Sequence, residues 1–326
     1  MRLAAFLPHV GVYGGVRRFI ELGNAWTAMG HDVTLYHPGG EPPGWLPFAG
    51  RTARLEAAAG GVSDIAWCGD SGTFAAFRAH HAATHVYYCV LERDPGLPAA
   101  IADRAVRLAA NSAPLRRQVA SRSGRPVLDG IGGIRVDRFR PDPSVRAAAP
   151  LRVLVNGRRS RPKKGTDLIL AALRSLAGST PEFETVLFDS AAPGSSDDPR
   201  PGARLPARAR YVLGPSQEEL VRLYQSSHVF VAAERKAGWC NTALEALACG
   251  AALACTRSGT TDFAHHGENA LVIPVRHPFF IARAVRRLLV EAALRERLQQ
   301  AGPPSAAAWS WERLAARLLD QVAARA

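Results

Sequence analysis

The chain has 326 residues, 47% of them hydrophobic, which suits two domains of about 150 residues with real cores and excludes wholesale disorder. The formal net charge is +13, but the positive charge is mostly scattered arginine with no basic run of five and no aromatic interleaving, so a nucleic-acid role is not expected. Five cysteines without a CxxC pair (Cys68, Cys89, Cys240, Cys249, Cys255) argue against a disulfide framework or zinc site and for buried thiols in a reducing cytoplasm.

No apolar run of 18 residues occurs, so no transmembrane helix is expected. The N-terminal MRLAAFLPHVGVYGG is interrupted early by Pro8, His9 and Gly11 and reads as a strand and loop, not as a signal peptide. RLAAFLP (2–8) is the first strand, followed by a loop with Gly11, Gly14 and Gly15. VRRFIELGNAWTAMG has helical apolar spacing at Val16, Phe19, Ile20, Leu22 and Trp26, with Gly30 as its stop. DVTLYHP (32–38) is the next strand. Strand, glycine loop, helix, strand is a βαβ opening and predicts a parallel sheet.

After a Pro/Gly-rich loop at 38–50, further strands are predicted at 63–68, 84–90, 105–112 and 125–129, with helical stretches between. The rhythm restarts with LRVLVNG (151–157). In the second half a helix at 167–177 and strands at 184–190 and 209–214 follow, with a polar loop at 193–208. Next come a helix at 216–227, opened by a Ser216/Glu219 capping box, a strand at 228–233, a helix at 242–250 stopped by Gly250, and strands at 251–256 and 270–275. Helices fill 278–301, and WSWERLAARLLDQVAAR (309–325) is a terminal amphipathic helix with Trp309, Leu314, Leu318 and Val322 on one face. The expected organisation is a Rossmann-like domain over 1–149, a second over 150–305 and a closing helix over 306–326. Two doubly wound sheets predict a ligand crevice between domains, beyond the carboxyl ends of the strands.

Three segments carry the chemistry. GVYGGVRRF (11–19) places glycines before a helix start, where backbone can approach an anion; a plain tight turn is the alternative. NGRRSRPKKGTD (156–167) crowds Arg158, Arg159, Arg161, Lys163 and Lys164 into seven residues at the end of a strand; guanidinium forks and ammonium charges suit two phosphates at short range, and a solvated basic loop is the alternative. The chain's three lysines are Lys163, Lys164 and Lys236, and all fall in this segment or the next. AERKAGWCNTALEALACG (233–250) turns at Gly238-Trp239 into a helix that begins near Asn241-Thr242, an end suited to an anion. Glu245, one turn inside, can accept two sugar hydroxyls if Leu244 and Leu247 face the core; a surface glutamate is the alternative.

These motifs carry a resemblance. GRRSRPKKG, VLGPSQEELVRLYQSSHVFV, AGWCNTALEALACG and AALACTRSG follow the order of the donor domain of retaining GT-B glycosyltransferases of family four (glycosyl transferases group 1). GIRVDRFRP (133–141), HGENALVIP (266–274) and the Trp-rich last helix resemble further family segments. The resemblance implies an α/β GT-B fold: two doubly wound parallel-sheet domains facing a cleft, with the last helix crossing back to the first. It implies transfer of a sugar from a nucleotide-diphosphate sugar to an acceptor hydroxyl with retention, without a metal and with no cofactor beyond that co-substrate.

Residue by residue, Arg158 and Lys164 match the family's diphosphate-binding arginine and lysine, with Lys163 a rival because this loop is one residue longer. Glu245 matches the ribose-binding glutamate. Asn241 and Thr242, after Gly238 and Trp239, match positions whose backbone reaches the phosphates, and Gly14 and Gly15 match the first-domain glycine loop beside donor and acceptor. The family's first glutamate aligns with Ala237, and Glu234 or Lys236 is the expected substitute. Members often carry a histidine where this chain has Leu91; the neighbouring Glu92 is the expected acceptor-orienting group, with a helix-start carboxylate as the alternative. These two departures keep two other readings open: a nucleotide-sugar-binding protein that has lost catalysis, and a GT-B-fold nucleotide-sugar epimerase. The expected acceptor is a saccharide, a lipid-linked saccharide or a small molecule such as a secondary metabolite. The expected location is cytoplasmic, with peripheral contact at the inner membrane face as an option.

Overall fold

The computed structural model describes residues 1–147 and 149–324. The chain forms two compact units: Met1–Gly133 together with the chain from Trp309, and Ile134–Ala308. The segment 134–149, expected to close the first domain, belongs to the second unit. There Arg146 holds it by hydrogen bonds to the carbonyls of Gln225 and Cys249 (both 3.1 Å).

The first unit contains β1 (Arg2–Phe6), α1 (Gly14–Ala28), β2 (Asp32–His37), β3 (Arg51–Arg54), β4 (Val62–Cys68), α2 (Phe74–Ala79) and β5 (His81–Cys89). It continues with α3 (Leu97–Ala102), β6 (Val106–Ala110), α4 (Ala113–Ser123) and β7 (Val127–Asp129). The seven strands are all parallel, in the order β3-β2-β1-β4-β5-β6-β7. β1 is central, with Leu3 in register between Val33 and Ile65. Apolar clusters cover both sheet faces. Trp26, Trp67, Ile20 and Leu35 lie in one, and Phe6, Phe77, Tyr87 and Leu108 in the other. Burial on both faces explains the near-continuous apolar strands.

The second unit contains β8 (Leu151–Asn156), α5 (Thr166–Ser175), β9 (Phe183–Asp189), β10 (Ala209–Leu213), α6 (Gln217–Gln225) and β11 (Val229–Ala232). It continues with α7 (Asn241–Ala248), β12 (Ala252–Thr256), β13 (Ala270–Ile273), α8 (Pro278–Val290) and α9 (Ala292–Ala307). Its six strands are parallel, in the order β10-β9-β8-β11-β12-β13. Numbered within the unit this is 3-2-1-4-5-6, the doubly wound order whose direction reverses between β8 and β11. The capping box at Ser216 and Glu219 is present, and Gly250 ends α7 with φ +75°.

The last helix, α10 (Trp311–Ala323), packs in the first unit, with Trp26 Nε1 donating to the Ala315 carbonyl at 3.1 Å. Its inward face differs from the sequence reading at one end. Ser310 is the N-cap, so Trp309 precedes the helix and is half-buried, and Trp311 occupies the core position with Leu314, Leu318 and Val322. The predicted end at Arg325 lies outside the described residues. β3 is the one strand the sequence did not announce: RTAR has no apolar alternation and lies at the sheet edge. All five cysteines are buried free thiols. No described helix is long and apolar enough to cross a membrane.

Candidate functional site

In a doubly wound sheet the loops leaving the two strands at the reversal part from each other and leave a ligand-binding crevice at their carboxyl ends. In the second unit those loops follow β8 and β11, and they carry GRRSRPKKG and AERKAGWC. Gly165 allows them to touch. Its φ is +76°, and a Cβ there would lie 2.3 Å from the Ala233 carbonyl oxygen, so only glycine fits both the left-handed backbone and the approach. Three hydrogen bonds seal the contact. Arg235 N donates to the Lys163 carbonyl (2.8 Å), and Arg276 bridges the Ala233 and Pro162 carbonyls (2.6 and 2.8 Å).

This approach pairs Lys164 with Glu234: Nζ to Oε1 is 2.7 Å. Burial works against the Lys164 charge, but the Glu234 carboxylate outweighs it and the ammonium is held above its ordinary pKa. The Cys240 thiol donates to the same Glu234 oxygen at 3.4 Å. Lys163, by contrast, is exposed.

Arg158 leaves the end of β8, its amide anchored on Asn156 Oδ1 (3.1 Å). Its Nε lies 3.9 Å from Oδ1 of Asp189, the last residue of β9, too long for a hydrogen bond. Arg158 Nε and Asp189 Oδ2 are both buried, and neither makes a hydrogen bond among the described residues. Burial raises the Asp189 pKa, and Arg158 opposes the rise. The site therefore contains a partly buried guanidinium and a partly buried ammonium on the loop that follows β8.

The turn into α7 is held from the β12 side. Thr256 Oγ1 donates to the Glu234 carbonyl (2.8 Å), Ala237 N donates to Ser258 Oγ (2.8 Å) and Cys240 N donates to the Gly259 carbonyl (2.8 Å). Gly238 and Trp239 are buried here, with Trp239 edge-on to Phe263 (centroids 5.1 Å apart). Lys236 is exposed, with φ +64°. Asn241 and Thr242 open α7 and are partly exposed. Glu245 is 4% exposed, so it is not a surface glutamate, and Tyr224 Oη donates to its Oε2 at 2.9 Å.

In the first unit α1 begins at Gly14, and a Cβ on Gly15 would sit 3.6 Å from Val90 Cγ2. The glycine loop after β1 thus lies beside the loop after β5, which carries Glu92. That residue is exposed, and its carbonyl accepts from Gln118 Nε2 (3.1 Å). The structure thus brings together Lys164 with Glu234, and Gly15 with the Glu92 loop. Asp189, Tyr224, Cys240, Thr256 and Arg276 are residues of the candidate site that the sequence reading did not single out. Only Asp189 carried a local signal, as a charged residue ending a buried strand. Among the described residues no group of three or more His, Cys, Asp or Glu is placed to hold a metal ion.

Residues 150–291 match the family described as Glycosyl transferases group 1. D-inositol 3-phosphate glycosyltransferase of Nocardioides sp. (strain ATCC BAA-499 / JS614) is 28% identical over 58% of this chain and 46% of that protein, so the match spans less than half of that relative's length. Among solved structures, sucrose-phosphate synthase from Thermosynechococcus elongatus superposes with TM-score 0.81 at 18% identity, covering 100% of both chains. Anabaena Alr3699/HepE, solved with UDP-glucose, superposes with TM-score 0.76 at 14% identity, covering 99% of this chain and 100% of that one. These likenesses establish a GT-B fold of two Rossmann-like, parallel-sheet domains.

Proposed function

From the match of residues 150–291 to the glycosyl transferases group 1 family we propose that the chain belongs to that family and transfers a sugar from a nucleotide-diphosphate sugar to an acceptor hydroxyl with retention of configuration. The observation that carries this reading is the Lys164–Glu234 pair at the β8/β11 reversal, next to the partly buried Arg158. Two cations on the loop after β8, at the sheet's reversal, match a diphosphate in charge.

In this reading Lys164 and Arg158 bind the two phosphates and stabilise charge that grows on the leaving diphosphate. They take the part that a metal ion plays elsewhere, so the transfer proceeds without one. Glu234 is a positioning residue: its carboxylate, engaged by Lys164 and Cys240, aims the ammonium. The inward, paired geometry favours Lys164 over exposed Lys163 for this work. The amides of α7 at Asn241 and Thr242, beyond Gly238 and Trp239, face the phosphates, and Glu245, oriented by Tyr224, accepts ribose hydroxyls. Gly14 and Gly15 serve donor and acceptor, and Glu92 orients the acceptor. As the glycosidic C–O bond to the diphosphate breaks, the acceptor oxygen bonds to the same carbon on the same face, and its proton passes to the leaving diphosphate oxygen.

The test is thermal melting with a panel of nucleoside diphosphates in the presence of a chelator. Ligand at 100 times its dissociation constant adds about 2.7 kcal/mol of stability. A clear rise with one nucleotide is expected and identifies the base; product analysis by NMR then reads the anomeric configuration. No rise with any nucleotide would overturn the assignment of the donor site.

A further inference from the structure

Helix α8 leaves one face uncovered. Ile281, Ala284, Val285, Leu288 and Leu289 are buried against the second unit's core. The opposite stripe is Phe279, Arg283, Arg286 and Val290, all exposed. At 100° per residue these four lie within about 60° of one another, along about 16 Å of helix. Phe279 is 63% exposed, the highest value among the exposed large hydrophobic side chains, and Val290 is 47% exposed. Val275, just before the helix, adds a further apolar side chain at 51%. The Phe279 ring stands edge-on to Phe280 (centroids 5.3 Å, 85°), so an aromatic pair marks the start of the stripe.

The charge on this stripe has one sign. Its two arginines have no acidic neighbour within it, and the acid at its end, Glu291, is already bound by Arg287 (2.9 and 3.0 Å). An apolar side chain at each end with two guanidiniums between is the pattern of a helix that lies in an interface: the apolar groups enter the acyl boundary while the arginines reach phosphate headgroups. The chain's net charge of +13 adds long-range attraction toward an anionic surface.

From this we infer that α8 docks the protein on an anionic lipid bilayer through Val275, Phe279, Arg283, Arg286 and Val290. The stripe starts beside the candidate site, because Arg276 bonds the carbonyls of Ala233 and Pro162 in the two site loops. Docking there holds those loops at the membrane surface.

The experiment is co-sedimentation of the full chain with phosphatidylcholine vesicles and with vesicles containing one third phosphatidylglycerol. Binding to the anionic vesicles alone is expected. Phe279→Ser should weaken it about tenfold. Arg283→Glu/Arg286→Glu should weaken it at least about 30-fold, since each arginine near an anionic surface is worth about fivefold before repulsion is counted. Melting temperatures of the variants, all exposed-site changes, should stay at the parent value. Arg117→Glu/Arg122→Glu on α4, exposed in the first unit, is the matched control and should bind like the parent. Absence of binding by the parent, equal binding by parent and stripe variants, or an equal loss in the α4 control would overturn the inference. So would a concentration-dependent dimer that Phe279→Ser abolishes without any vesicle binding, which would assign the stripe to a second copy of the chain.

Discussion

Replacing Lys164 separates structure from function at the proposed donor site. Lys164→Met leaves the Glu234 carboxylate, 9% exposed, without the ammonium 2.7 Å away. Breaking a fully buried pair in this way costs about 3–5 kcal/mol; the Lys164 side chain is 26% exposed, so water relieves part of the loss and about 2 kcal/mol is expected. Nucleotide binding should fall independently, because one charge-assisted contact to phosphate is worth about 1.5–3 kcal/mol, or roughly 10- to 150-fold in affinity. Adding Glu234→Gln removes the stranded carboxylate while keeping its shape and one acceptor oxygen. The double variant should therefore melt close to the parent yet bind nucleoside diphosphate as weakly as Lys164→Met. Calorimetric titration and thermal melting of the four proteins of this cycle read both quantities. If the double variant recovers parental affinity, Lys164 does not touch the diphosphate, and the weakness of the single variant was a folding defect. If Lys164→Met melts like the parent, the pair does not have the importance given to it here.

Three other outcomes follow from the geometry. Tyr224→Phe removes the hydroxyl that donates to Glu245 Oε2; it should cost about 1–3 kcal/mol of stability and weaken nucleoside diphosphate more than inorganic pyrophosphate, whereas equal losses for both ligands would detach Glu245 from the ribose. Gly259→Ala meets φ +73° and would place its Cβ 2.9 Å from both Ala237 Cβ and Cys240 N; strain of about 1–3 kcal/mol should lower the melting temperature and nucleotide affinity together, and an unchanged melting curve would refute the packing described for this turn. His228 is 7% exposed, its Nδ1 accepts from Arg152 N (3.0 Å), and burial followed by repulsion from Arg146 and Arg295 lowers its pKa to about 4. The unfolded chain then binds the extra proton first, so the stability present above about pH 6.5 drains as pH falls toward 4, by up to about 3 kcal/mol; His228→Asn should flatten this acid limb, and an unaltered limb would show that another group causes it.

What could be read from the sequence and what could not divide along a physical line. Strands buried on both faces, helices with one apolar face and glycine stops are local features, so the alternation of both halves and the basic loop after β8 were legible. The site is made of pairings between segments far apart in the chain. Lys164 meets Glu234 across 70 positions, Arg158 approaches Asp189 across 31 and Tyr224 reaches Glu245 across 21. No window of sequence contains these, because they depend on β8 lying between β9 and β11. The same dependence governs the departure at Ala237. Sequence alone allowed Glu234 to stand in for a missing sugar contact, since it lies three residues upstream on a turn of unknown shape. The structure gives that turn its shape through Thr256, Ser258 and Gly259, and within it the Glu234 carboxylate faces Lys164. A carboxylate that already holds the ammonium of the proposed diphosphate site is poorly placed to serve as a second sugar ligand. In the proposed transfer, specificity for the donor sugar then rests on groups other than this glutamate, and exchange of the donor sugar at a fixed nucleotide is the measurement that reads it.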